Sequence, residues 1–372
     1  MRWSLVLVRA LAVLALWIGG DSGVFSQDPC PCFPRDLCRP VPADHQYQVE
    51  VMVFYLAGTD WKHYDWSKVT TVTMESVDSD LVCHAHAHKA RVVMKELIEQ
   101  SYLTDSTQRA NWITYIVNFF KLLYLDGINL DLQSTTSNYS ALPQLLRETT
   151  NMFHEKIPGS QVTFNVPWTP DCPNGQCHDY VGMANSCDFL VVQSYNLQNQ
   201  MWDECFAKAG APYHQVYSGL SAYIKLGVDS RKLLMVVPWY GYDYNCQRFY
   251  EPGRCELQKI PLGGAPCSSQ VGRSIPYKEI MQQLPRSITG RYWDDDYKSP
   301  YYVYRVNNTY HEVWYDDPES ISLKSSILKK LKLRGIGAWT GNDLNYTGYP
   351  AAAVQTEEMW NALCPIRGKW RT

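Results

Sequence analysis

The chain is 372 residues long, with a formal net charge of -3, 13 Trp, 26 Tyr and 12 Cys. So weak a charge, with no basic run, argues against nucleic acid or anionic lipid as a partner. The aromatic excess suits either a core or the flat walls on which sugar rings stack, and composition does not separate the two.

In chain order, the first feature is a leader. Arg2 is followed by a largely apolar run from Leu5 to Ile18, and Val24-Phe25-Ser26 offers small residues for cleavage. The run is too short to cross a bilayer comfortably and Arg9 interrupts it, so residues 1–26 read as a signal peptide. No second stretch of membrane length follows. The expectation is one domain over residues 27–372, without membrane attachment, in an oxidising compartment: the lysosome or the cell exterior. The cysteines all lie beyond the leader. Cys30-Pro31-Cys32 could hint at metal, but an even count behind a leader favours disulfides, whose pairing the sequence leaves open. No metal and no cofactor is expected. Sequons at Asn138, Asn307 and Asn345 would mark surface loops.

Short β-branched runs then alternate with segments of helical length. Strands are expected at Val49–Tyr55, Val69–Met74, Arg91–Lys95, Gly127–Gln133, Gln161–Val166, Phe189–Ser194, Lys232–Pro238 and Gly335–Trp339. Amphipathic stretches between them include Arg109–Tyr124, Leu142–Glu155, Tyr213–Leu226 and Ser320–Leu333. This is the pattern of parallel βαβ units, and eight strands over this length predict a closed α/β architecture, the (β/α)8 TIM barrel. The stretch from Tyr240 to Leu331 is too long for one helix. An insertion between the seventh and eighth strands is expected there, carrying Cys246, Cys255, Cys267 and the aromatic-rich segment Tyr292–Tyr315.

The segment that carries chemistry is Asp126-Gly127-Ile128-Asn129-Leu130-Asp131-Leu132-Gln133. Side chains alternate along a strand, so Asn129, Asp131 and Gln133 share one face while Ile128, Leu130 and Leu132 share the other. In a barrel this places a polar row inside, where Val, Ile or Leu is usual, with its end at the C-terminal mouth where barrel enzymes do chemistry. A polar layer holding only water is the competing reading.

The segment resembles the DGxDxDxE signature of glycoside hydrolase family 18, in the DGIN-x-D-x-E variant of its chitobiase branch. The likeness continues through Trp61–Ser67, Gly159–Phe164, Cys187–Leu190, Pro238–Tyr244, Gly264–Cys267, Val313–Asp316, Ser320–Lys324 and Leu333–Gly337, nearly the whole mature chain in order. The resemblance implies hydrolysis in which the substrate's own N-acetyl carbonyl is the nucleophile. It implies a glutamate at position 133 as general acid, Asp131 orienting the acetamide, Tyr195 donating to the acetamide oxygen, and Trp339 stacking under the sugar. Asn129, Asn165 and Asn196 fall at positions implied to line the substrate site. The implied partner is an N-acetylglucosamine oligosaccharide or the chitobiose core of N-glycans.

Position 133, however, is glutamine. A carboxylic acid can release a proton to a leaving sugar and a neutral amide cannot, a deficit of about 10²–10⁴ in rate. The chain also departs from the family's FDVAW with Phe164-Asn165-Val166-Pro167-Trp168 and from MSYD with Gln193-Ser194-Tyr195-Asn196. The family's lysine-glycine-aspartate becomes Lys95-Glu96-Leu97. The expectation is a site that binds sugar and turns over little, with an active lysosomal exoglycosidase as the alternative. Glu75, Glu96 and Asp243 are weighed as substitute acids and expected to be solvated or structural.

Two further clusters invite a metal reading. In Cys83-His84-Ala85-His86-Ala87-His88 a helix would put His84 and His88 on one face and His86 on the other, and a solvated helix end is expected. Asp294-Asp295-Asp296 lacks the spacing and glycine of a calcium loop and reads as an exposed turn. Trp293, Tyr301, Tyr302, Trp314 and Tyr315 could wall the cleft or core the insertion.

Overall fold

The computed structural model describes residues 30–42, 49–132, 139–170, 178–251 and 253–363. The leader, Asn138, Cys172, Cys177, Cys364 and Gln133 lie outside the described residues. The expected strands form at Glu50–Tyr55, Thr71–Met74, Arg91–Ile98, Gly127–Leu132, Gln161–Val166, Phe189–Gln193, Leu233–Pro238 and Gly335–Trp339. All pair in parallel, and the first strand bonds both the second and the eighth, closing the barrel. The third strand runs beyond its expected end because Lys95–Ile98 continues the ladder with Asn129–Leu132.

The two faces of the fourth strand separate as the alternation requires. Ile128 and Leu130 are fully buried in the main core beneath the helices. The inward rows of the other strands supply Met52, Phe54, Val93, Phe189, Val191, Leu234 and Val236, a separate apolar cluster filling the barrel, with Tyr195 and Trp339 packed on it. The helices cover the outside with stripes such as Leu142, Leu145, Leu146, Thr149 and Phe153 on Leu142–Lys156. Two of them begin earlier than periodicity alone predicts. Asp105 accepts from Thr107 N (2.8 Å) and Gln108 N (3.1 Å), starting the helix Ser106–Leu122. Asp317 and Ser320 form a reciprocal capping box that starts Pro318–Leu331.

The insertion between the seventh and eighth strands is a five-stranded antiparallel sheet in the order Gly272–Pro276, Tyr240–Asn245, Thr309–Trp314, Ser299–Val306, Tyr292–Asp294. Its aromatic segment is mainly core: Tyr302, Trp314 and Tyr315 are buried, and Tyr301 stacks on Trp314 at 4.5 Å. Cys246 pairs with Cys255 inside the insertion, and Cys205 with Cys267 ties it to the loop after the sixth strand. Cys32 pairs with Cys83, which commits the Cys32 sulfur to a covalent bond, while Cys187 is a buried free thiol. Asp295 and Asp296 lie in an exposed turn after the strand, where Asp294 accepts from Tyr297 N, and Asn307 is exposed. Among the described residues no helix is long and apolar enough to cross a membrane.

The histidine run departs from expectation. His86 is no solvated helix end: on the helix Ser79–Ala87 it is 4% exposed, with Nδ1 2.6 Å from the Leu37 carbonyl and Nε2 2.8 Å from Asp126 Oδ2. Burial works against its proton, but the Asp126 carboxylate and the Leu37 carbonyl outweigh that and raise its pKa. Asp126 also accepts from the backbone N of Val41 and Val92, both at 2.6 Å.

Inside the insertion, Glu312 is 1% exposed and accepts from Trp314 Nε1 at 2.6 Å. Burial pushes its carboxyl from 4.5 up to about 8. The native state then holds a proton that the unfolded chain releases, so this group's contribution is complete below about pH 4.5 and is lost as pH rises towards 8. Thermal melts of the wild type should lose Tm over that interval. Glu312→Gln, which keeps an acceptor for Trp314, should flatten the dependence.

Candidate functional site

The site grows from one steric condition at the start of the fourth strand. Gly127 has φ +150°, and a Cβ there would lie 1.9 Å from the Gln161 carbonyl oxygen, so only glycine lets the fourth and fifth strands approach at this register. Two residues on, Asn129 is fully buried, and its Nδ2 donates to Thr163 Oγ1 and Asn165 Oδ1, both at 2.9 Å. Asn165 Nδ2 in turn donates to Asp131 Oδ2 at 3.1 Å, and the other Asp131 oxygen accepts from Leu132 N at 2.9 Å. The polar row therefore climbs from the barrel interior towards its mouth as one hydrogen-bonded relay. Asn129, expected to line the site, lies below the exposed part of this relay and reaches Asp131 only through Asn165.

The sequence reading did not place Lys95 among the site residues. Its ammonium lies 3.6 Å from Asp131 Oδ2, 3.3 Å from Glu75 Oε1 and 5.3 Å from the centre of the Trp339 ring. The signal was present in the register, since Lys95 is the direct neighbour of Asn129 across the ladder and alternation turns it inward.

The aromatic side of the mouth is built by the sixth and eighth strands. Trp339 ends the eighth strand and is tilted against Phe54, with centroids 5.0 Å apart. Tyr195 stacks on it at 6.0 Å, and Tyr240 meets Tyr195 edge-on at 6.3 Å. Burial and the nearby Asp131 charge push the Tyr195 hydroxyl well above its ordinary pKa, keeping it a neutral donor. Asn196 turns the chain in the left-handed region (φ 58°) and accepts from Tyr240 OH at 2.6 Å. Just past Trp339, Asp343 accepts from Thr340 N at 2.9 Å, and burial raises its pKa from 3.8 to about 6.

Of the alternative acids, Asp243 is removed from the mouth. It is buried in the insertion sheet, where it meets Tyr304 OH at 2.7 Å, His311 Nδ1 at 3.1 Å and Arg273 at 3.2 Å. Glu96 pairs in register with outward-facing Leu130 and so takes the helix side of the third strand. Glu75 is linked to Asp131, and the link runs through Lys95.

A parallel barrel with a buried amide relay, a carboxylate near its C-terminal mouth and an aromatic wall beside it has its polar groups where TIM-barrel enzymes carry their active sites. Comparison makes the class specific. Residues 100–343 match the model for glycosyl hydrolases family 18, and the chain belongs to that family. It is 46% identical to human di-N-acetylchitobiase, over 98% of this chain and 97% of the human protein. With the di-N-acetylchitobiase of Rattus norvegicus the identity is 45%, over 91% of this chain and 94% of the relative. Among solved structures, a class V chitinase from Nicotiana tobaccum shares the fold with TM-score 0.66 at 16% identity, covering 85% of this chain and 99% of its own; it is a glutamate-to-glutamine mutant in complex with NAG4.

The relay makes a sharp prediction. Asn165→Asp removes the donor to Asp131 and sets a second carboxylate against it, so one of the pair must take up a proton at neutral pH. We expect a loss of about 1–3 kcal/mol at pH 7, several degrees in Tm, mostly recovered near pH 4.5, where the shared proton is present. Melting curves at the two pH values check it.

Proposed function

We propose that the chain holds an N-acetylglucosamine-containing oligosaccharide at the barrel mouth, the chitobiose core of N-glycans being the ligand class, and hydrolyses it slowly or not at all. Trp339 would stack under the sugar ring. Asp131 and Tyr195 would hold the acetamide, with Asn165 orienting Asp131 and Asn129 orienting Asn165, while Asn196 fixes the Tyr240 hydroxyl beside them. One observation carries the reading: the residue two positions beyond Asp131 is Gln133. Its amide can hydrogen-bond a glycosidic oxygen but has no proton to release to it. The names of the human and rat relatives support the sugar class, and a tobacco chitinase that pairs a glutamate-to-glutamine change with bound NAG4 supports sugar retention alongside such a change.

The second reading is an active exoglycosidase of the chitobiase type, cutting the β1,4 linkage at the reducing-end N-acetylglucosamine by substrate assistance. It is favoured by 46% identity over 98% of the chain to a protein named for that activity. On either reading residues 1–26 act as a removable leader, residues 27–372 are one domain, and the lysosome, or alternatively the cell exterior, is the destination.

The two readings separate in one assay. The full-length mature protein is incubated with di-N-acetylchitobiose at about pH 4–7, the range over which carboxylates and histidine titrate, and both binding and released monosaccharide are followed. We expect saturable binding with little release, and a gain of about 10² or more in release on Gln133→Glu. Trp339→Ala should weaken binding about tenfold or more, since it removes the stacking surface. Wild-type turnover equal to that of Gln133→Glu would overturn the non-catalytic reading.

A further inference from the structure

The short turn Gly341–Asp343, just past Trp339, is held by bonds that run back to the indole and to what lies beneath it. Asp343 and Thr340 form a reciprocal capping box, in which one Asp343 oxygen accepts from Thr340 N at 2.9 Å and from Thr340 Oγ1 at 3.1 Å. Thr340 is 1% exposed and follows Trp339 directly, so the clamp fixes the backbone on the far side of the indole. On the near side the Trp339 carbonyl accepts from Trp239 N at 2.7 Å.

Asn342 reaches the other way. Its Oδ1 accepts from Leu56 N at 3.0 Å, while its Nδ2 donates to the Ala57 carbonyl at 2.8 Å and to Asp60 Oδ2 at 3.3 Å. Leu56 lies two residues past Phe54, whose ring meets the Trp339 ring with centroids 5.0 Å apart. One amide therefore ties the exit of the first strand to the exit of the eighth, on either side of that ring contact. The turn has little room to adjust. A Cβ at Gly341 would lie 2.2 Å from the Tyr64 hydroxyl oxygen, so a larger residue is excluded by close packing. The Gly341 carbonyl accepts from Tyr346 OH at 3.1 Å, and the Asn342 carbonyl from Lys278 Nζ at 2.8 Å.

We propose that Asp343 and Asn342 are positioning residues for the sugar-stacking surface: Asp343 sets the Trp339 indole through Thr340, and Asn342 sets the Phe54 ring beneath it through Leu56 and Ala57. The inference rests on the reading of Trp339 as the floor under a sugar ring and adds the residues that hold that floor still. Stacking needs a flat face presented in one orientation. An indole that must be ordered at each encounter binds more weakly than one already in place. The two bonds from Thr340 to a carboxylate are of the stronger, charge-assisted kind. Neither residue touches the ligand on this account; both act through the backbone beside an aromatic ring.

Two readouts on the mature protein test it, one without sugar and one with it. Fluorine NMR of the protein labelled with fluorotryptophan follows the indole directly, with Trp339→Phe identifying its signal. In Asp343→Ala and in Asn342→Ala that signal should shift or broaden. Asp343→Asn, which keeps an acceptor oxygen for Thr340, should return it close to the wild-type position. Calorimetry with di-N-acetylchitobiose is run at about pH 7, above the Asp343 pKa of about 6. The two alanine variants should bind about five- to tenfold more weakly, and Asp343→Asn within about threefold of wild type. Thr340→Val, which deletes only the hydroxyl, should lose about two- to threefold and keeps the test decisive where an alanine variant folds poorly. Asp229→Ala truncates the cap of the turn Ser230–Lys232, before the seventh strand, and should change neither readout. Unchanged affinity or an unchanged Trp339 signal in Asp343→Ala, even with a lowered Tm, would overturn the inference, as would failure of Asp343→Asn to recover either. A signal that responds as expected in a wild type that binds no disaccharide supports the positioning role and sinks the sugar reading instead.

Discussion

The relay from Asn129 through Asn165 to Asp131 is the constraint on which the site rests. Each link fixes the next: Asn129 gives its amide protons to Thr163 and Asn165 Oδ1, so the amide of Asn165 must turn its own protons to Asp131. A buried amide that donates in this way sets the carboxylate's rotation without adding charge. None of it is possible unless the fourth and fifth strands lie at the register that Gly127 permits. Backbone sterics at one glycine thus decide the orientation of a carboxylate four residues away.

Around that relay the mouth is balanced electrically rather than simply acidic. Lys95 stands between Asp131 and Glu75 and faces the Trp339 ring. With an amide at position 165, Asp131 meets a neutral donor on one side and the lysine on the other. The aromatic surface, the neutral hydroxyl of Tyr195 and the carboxylate of Asp131 are arranged as a neutral-to-polar wall, suited to the uncharged sugar proposed for it. The far end of the barrel is lined by charges of both signs, Glu50 and Asp188 with Arg91 and Arg334, so one closed sheet presents two chemically distinct ends.

Much of the barrel was legible because it repeats a local rule. Alternation placed all eight strands and put Asn129 and Asp131 inward, and turn-to-helix periodicity placed the large helices. What escaped depends on partners distant in sequence. The third strand's extra length follows from pairing with the fourth, which no local pattern in Met94–Ile98 reports. His86 looked solvated because its partners, Leu37 and Asp126, are 49 and 40 residues away. Its neighbours Leu81, Val82 and Ala85 do share its buried side, so the amphipathic stripe carried a hint that the charge of histidine masked. The insertion was expected by length alone; its sheet order could not be read, because aromatics occupy both faces of its strands and obscure the period.

The bridge between Cys205 and Cys267 joins segments 62 residues apart, and the backbone reinforces it where Gln200–Met201 pairs with Cys267–Ser268. The loop that leaves Tyr195 and Asn196 is therefore sewn to the insertion before any ligand arrives. This loop has little freedom to swing, and the entropy of ordering it is settled during folding rather than at each encounter. Breaking the covalent seam would return that cost to every binding event.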